Sequence, residues 1–280
     1  MKKITFLFLS VLTGFLGFAQ IETPAPSPAS TLEQMVGLTE VTVNYSRPSM
    51  RGRTVFGNLV PFGKVWRTGA NANTTIAFSD DVVVAGQTLK AGTYAIFTKP
   101  DSDFWEVYFY TDTNNWGAPQ QWEDSKVAAS ARVPVKKTAW PVETFSITID
   151  KVTNNGASLG MHWENTSVEV PFDVPTKAQA MESIKRVMEG PSANDYFSAA
   201  SYYYQEGLDM NTAKVWVDKA VTMNPDAFWM SRLQSLIYAK LGDTKGAIAA
   251  AKKSLAAAQK AGNADYVKMN EDSLKEWGAM

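Results

Sequence analysis

The chain has 280 residues, 45% hydrophobic and 20% charged, which is enough for two ordinary domains with packed cores. Its 27 Lys and Arg offset 28 Asp and Glu to a formal net charge of -1, so it has no basic field to hold nucleic acid. With no Cys and a single His, disulfides, thiolate chemistry and multi-His metal centres are excluded, and burial of nine Trp, ten Tyr and fourteen Phe must supply much of the stability.

The first nineteen residues read as a signal peptide. Lys2 and Lys3 form a basic start, and residues 4–18 are apolar but short for a bilayer span. Gly17 and Ala19 are small residues at the positions a signal peptidase reads, so cleavage is expected after Ala19, with Gln20 as the mature N-terminus. The alternative is an N-terminal anchor. No Cys follows the apolar run to carry a lipid, so the expectation is a periplasmic or secreted protein without a stable membrane anchor.

Residues 20–31 read as a linker, because Pro24, Pro26 and Pro28 alternate with small residues and favour an extended, solvated backbone. A β domain is expected over residues 32–174. In residues 40–46, Val41, Val43 and Tyr45 share one face while Thr42 and Asn44 share the other, the period of a half-buried strand. Residues 47–73 lose that period and become rich in Gly, Pro and Arg. Strand signals resume at 74–78, 82–85, 94–98, 105–110, 128–135, 145–152, 158–163 and 167–172. Asn154, Asn155 and Gly156 form a hairpin turn between two of them, since Asn and Gly tolerate positive φ. Roughly nine short strands without a helical period between them predict an antiparallel β-sandwich or barrel.

Residues 175–280 change to a helical period. Thr176 is the expected N-cap of the first helix, with Gln179 at capping-box spacing, and Gly190 and Pro191 end it. Two helical hairpins follow. Tyr203 and Gly207 recur 35 residues later as Tyr238 and Gly242, and Ala213 and Ala220 recur 34 residues later as Ala247 and Ser254. The tetratricopeptide period is about 34 residues. A last helix over 265–277 is expected to cap the array. The predicted fold class is therefore α+β in a two-domain chain: the sandwich or barrel, then a tetratricopeptide-like array whose groove suits a protein or peptide partner.

The stretch from Tyr45 to Thr74 carries recognisable strings: Y-S-R-P at 45–48, G-R-x-x-F-G at 52–57, V-P-F-G at 60–63 and V-W-R-T-G-A-N at 65–71. With A-G-T-Y at 91–94, it resembles the signature of an exported bacterial family known as domain of unknown function 2911. The resemblance covers about residues 30–174, and it implies no activity, because the family has none established. An appended helical array looks like a common arrangement in such proteins.

The same stretch holds the candidate site. Arg47, Arg51, Arg53 and Arg67 alternate with Phe56, Phe62 and Trp66, and Asn71 and Asn73 add neutral hydrogen-bonding groups. Guanidinium forks pair with carboxylate or phosphate and stack on rings, so one reading is a loop that binds an anion or glycan, a small polar ligand. The other has these Arg bonding backbone carbonyls and carboxylates such as Asp80 and Asp81, pinning a long loop to the sheet, with Arg67 the strongest pin and Arg51 facing solvent. His162 joins the candidate binding residues, although a lone His beside Trp163 is expected to be structural. Asp101, Ser102 and Asp103 are read as a solvated turn, and Trp116, Trp122 and Trp140 as packing beneath loops, with sugar stacking as the alternative.

No G-x-S-x-G, H-E-x-x-H or phosphate loop occurs, so no catalytic residue, metal or cofactor is assigned. A non-enzymatic interaction or ligand-binding protein is expected. The alternative is an enzyme or small-ligand binder acting through residues 47–73.

Overall fold

A computed structural model describes residues 23–188 and 190–280, so the expected signal peptide lies outside the described residues. The chain divides into two compact units between Val174 and Pro175.

The first unit is a sandwich of two antiparallel sheets. The larger contains β1 (Ala29–Val36), β2 (Thr39–Ser46), β3 (Thr74–Phe78), β6 (Gly92–Pro100), β7 (Phe104–Tyr110) and β8 (Val127–Pro134), paired in that order. The smaller runs β5 (Gln87–Leu89), β4 (Val82–Val84), β10 (Gly156–Asp173) and β9 (Lys136–Asp150). Alternation puts Val41, Val43, Ile76, Ile96, Trp105 and Val107 of one sheet against Phe145, Ile147, Leu159, Met161, Trp163 and Val170 of the other in a single core. On the far side of the larger sheet, Phe97 and Tyr110 pack with Trp122 in a satellite cluster.

One boundary departs from the sequence reading, and one long strand of the smaller sheet holds two expected ones. Residues 29–31, expected as linker, already belong to β1, which pairs with β2 in unbroken register from Ala29↔Ser46 to Val36↔Thr39. Its polar run Ser30, Thr31, Glu33, Gln34 sits at a sheet edge, where side chains facing solvent leave no apolar period. β10 also covers both segments expected as separate strands. At about 3.3 Å per residue its ends would lie about 55 Å apart if extended. Instead Val174 N–H donates to the Asn155 carbonyl at 2.9 Å, and a Cβ on Gly156 would meet the Phe172 carbonyl oxygen at 2.5 Å. β10 therefore folds back on itself, and Glu164, in the left-handed region at φ 54, marks the reversal.

The second unit has six helices: α1 (Thr176–Val187), α2 (Ala193–Gln205), α3 (Met210–Met223), α4 (Phe228–Lys240), α5 (Thr244–Ala261) and α6 (Ala264–Glu276). Ser192 and Asp195 form a capping box on α2, while Asp209, Asp243 and Asn263 cap α3, α5 and α6. Thr176 is not a cap as expected: Pro175 holds that position and Thr176 is the buried first residue of α1. Consecutive helices from α2 to α6 pack together, and α4 additionally touches α2 and α6. The even-numbered helices thus form one layer. Ala200, Ala213, Ala220, Ala247, Ala251 and Ser254 are fully buried, and their small side chains let neighbouring helices approach closely. Among the described residues, no helix is long and apolar enough to cross a membrane.

Candidate functional site

Residues 47–73 connect β2 to β3, and their four Arg are bonded within the unit. Arg47 Nε donates to the Phe145 carbonyl at 3.1 Å and its Nη2 to Ser146 Oγ at 2.7 Å. The loop then runs beside β9: Phe145 N–H donates to the Pro48 carbonyl at 2.8 Å, Met50 N–H to the Glu143 carbonyl at 2.8 Å, and the Ser49 and Thr144 hydroxyls meet at 2.9 Å. Arg51, at φ 49, gives its N–H to Glu143 Oε1 at 2.9 Å and its guanidinium to the Pro26 carbonyl at 3.0 Å. Arg53 closes a turn through the Met50 and Ser49 carbonyls at 2.8 and 2.7 Å. Arg67 donates to the Asn71 carbonyl at 2.8 Å.

The pins are therefore carbonyls rather than acids. Asp81 is bonded to Lys90 and the Ala91 N–H, which together hold its carboxyl below the usual range, and Asp80 accepts from Ser79. Trp66 sits among aromatic rings, stacked on Trp163 at 5.9 Å and edge-on to Phe145, Trp105 and Phe56. Its indole N–H donates to the Gly69 carbonyl at 3.1 Å, so neither its faces nor its N–H project to solvent as a stacking platform would. Asn71 Nδ2 bridges the Ser27 carbonyl at 3.3 Å and Ser46 Oγ at 3.2 Å.

His162 lies on the outward face of β10, opposite Ser146. Arg47 and His162 are thus brought together across the residue that Arg47 holds. His162 Nε2 lies 3.0 Å from Thr148 Oγ1, which donates to Asp150 Oδ2 at 2.5 Å; Asp150 Oδ2 is 3.8 Å from the imidazole. All three crowd the space above Gly160, where a Cβ would collide with each of them.

The far tip of the loop is different. Thr54, Phe56 and Phe62 line a 220 Å³ cleft with Asp101, Ser102, Val135, Lys137, Glu164, Asn165 and Thr166. None of the four Arg reaches it. Glu164 fixes the tip by accepting the N–H groups of Val55 and Phe56, both at 3.3 Å. Gly57 lets the Phe62 ring lie against the backbone, since a Cβ there would meet the ring at 2.8 Å. Beside the cleft, Asn165 Nδ2 donates to the Thr138 carbonyl at 3.4 Å and Thr138 Oγ1 to the Trp140 carbonyl at 2.8 Å. There the β9–β10 register slips and Trp140 stands 73% exposed. Trp116 is 80% exposed. Packing beneath loops, expected for three Trp, holds for Trp122 alone, because Trp116 and Trp140 have no cover.

In the helical unit, Arg232 sits mid-way along α4 with its Nη1 buried and no partner among the described residues. Burial pushes its pKa down, while the nearby carboxylates of Asp272 and Glu276 act in the opposite sense without a hydrogen bond. Sequence reasoning missed Arg232, since one Arg in a helical repeat looks like any solvated charge.

Compared with known proteins, residues 27–172, just over half the chain, match the model of a family described as a protein of unknown function, DUF2911. No curated protein matches the chain.

Proposed function

The chain belongs to the DUF2911 family, and we propose that it is an exported, non-enzymatic binding protein whose helical unit receives a peptide partner. Residues 1–19 support export to the periplasm or beyond. The 34- to 35-residue spacing of small and aromatic residues supports a tetratricopeptide-like array, in which the face where alternate helices meet is concave. That face belongs to α2, α4 and α6.

The observation that carries the reading is Arg232. A buried guanidinium nitrogen without a hydrogen-bond acceptor is costly to keep, and a carboxylate reaching Arg232 would satisfy it. Tyr204 of α2 and Tyr266 of α6 belong to the helices of the same layer. The expected ligand is a peptide offering a carboxylate, either an acidic side chain or its C-terminus.

An array of peptides with free and amidated C-termini, titrated against the whole protein, tests this. Binders are expected, and Arg232→Ala should weaken them by about tenfold, the loss of one charge-assisted contact. Binding indifferent to Arg232, or none across the array, would overturn the proposal.

A further inference from the structure

We infer that the cleft beneath Phe62 is a carbohydrate subsite that takes one neutral sugar ring of a glycan. This is independent of the peptide reading, because it rests on the other unit of the chain. Size comes first: 220 Å³ is below the roughly 300–1,000 Å³ of pockets that enclose drug-sized ligands, and it suits a single ring with its neighbours left outside.

Chemistry comes second. A sugar ring offers hydroxyls that donate and accept in turn, along with apolar C–H faces. The cleft presents both kinds of partner. Lys137 donates and has no ion pair or hydrogen bond among the described residues, Asp101 accepts, and Thr54, Ser102 and Asn165 do either. Phe56 and Phe62 form its apolar wall, and Trp140, an exposed indole, lies two residues along β9 from Thr138, whose carbonyl accepts from Asn165 of the lining.

Charge comes third. A phosphate or polyanion site needs an excess of cations, yet here the lining holds one Lys, Lys137, with Asp101, and Glu164 is a second carboxylate already engaged by two backbone N–H groups. The four Arg that would have made the loop anion-selective are spent on backbone carbonyls outside the cleft. A neutral polyol fits this balance better than an anion.

Preorganisation comes last. Glu164 ties the loop tip to the reversal of β10, and the Thr138 contacts fix the bulge, so the walls are set before a ligand arrives.

The experiment titrates the whole protein with tetrasaccharides derived from cellulose, chitin and mannan, using saturation-transfer NMR and calorimetry, with inorganic phosphate and ATP as anionic probes. At least one tetrasaccharide should bind with Kd below about 1 mM. Trp140→Ala and Lys137→Ala should each weaken it about fivefold or more with Tm unchanged, since both side chains are exposed. Arg232→Ala should leave it unaffected, which separates failure here from failure of the peptide reading. Silence from all three sugars, binding indifferent to Trp140 and Lys137, or displacement of the sugar by phosphate or ATP would each overturn the inference.

Discussion

Arg47 shows what one residue does here and what a sequence can reveal of it. That the Arg of residues 47–73 pin the loop could be argued from composition, because a long connection with so few strand signals needs internal partners. Which Arg matters most could not, because the partners are remote in sequence: Arg47 reaches Phe145 and Ser146, while Arg67, expected as the strongest pin, reaches only Asn71 within its own loop. Arg47→Ala would strand a partly buried carbonyl and should cost about 1–3 kcal/mol. Arg51 is exposed, and Arg51→Ala should stay within about 0.5 kcal/mol. Urea denaturation of the two variants orders them, and an Arg51 variant weaker than the Arg47 variant would contradict this assignment. Trp66 teaches the same lesson from the apolar side. A Trp among Gly and Arg looks available for a ligand, but only the fold shows that four rings close around it.

Among the elements, strands with a clean two-residue period were legible, as in β2 and β7, because one face of each is buried and the other is not. Edge strand β1 was not, for want of that contrast. The reversal within β10 was legible as a gap between two strand signals, although its turn residues, Glu164 and Asn165, lack the Gly that usually announces one. Closure of that hairpin depends on Gly156, whose missing Cβ makes room for the Phe172 carbonyl. Gly156→Ala pits a methyl against backbone rather than a movable side chain, so it should destabilise the unit by about 1–3 kcal/mol. A melting temperature unchanged from wild type would show that the two ends of β10 do not approach as closely as described.

Glu169, on the same strand, adds a pH dependence. Hydrogen bonds from Lys151 and then Lys136 lower its pKa below the ordinary carboxylate value, against the opposing effect of burial. A depressed pKa in the folded state means that this stabilisation is fully present above the unfolded value near 4.3 and fades as pH falls through the folded one. Glu169→Gln should therefore cost about 0.2–1 kcal/mol at pH 7 and progressively less as pH falls below the unfolded value. Denaturation midpoints of the two proteins across that range should converge on acidification. If the gap widened instead, Glu169 would not be held by its lysines.

On the scale of the whole molecule, the two units are built from different amounts of apolar material. The sandwich core is filled by Trp105, Trp163, Phe145, Phe109 and large aliphatic residues, each fully or almost fully buried. The helical unit buries mostly Ala along its helix contacts, with Val217, Ile237 and Met230 as its larger fully buried groups. Burying a large side chain contributes about 1.5–3 kcal/mol, while Ala brings only a methyl, so the helical unit has less to set against chain entropy. Its cohesion also relies on a buried polar chain, in which Asn270 Nδ2 donates to Ser254 Oγ at 2.9 Å and Ser254 Oγ to the Phe228 carbonyl at 2.7 Å. Such a chain fixes how α4, α5 and α6 register, yet contributes only about 0.5–1.5 kcal/mol per bond. Contacts between successive helices are moreover local, so the unit should open from its ends rather than all at once. Residues 23–174 and 175–280, expressed apart and as one chain, should therefore melt differently. The sandwich should give one sharp calorimetric transition, while the helical unit should melt at lower temperature over a broader range, followed by loss of the 222 nm circular dichroism signal. Replacing the buried Asn270 with Ala should lower the helical transition further and leave that of the sandwich in place. A helical unit that outlasted the sandwich, or an Asn270→Ala variant that shifted both transitions equally, would show that aromatic burial does not set the order in which this molecule comes apart.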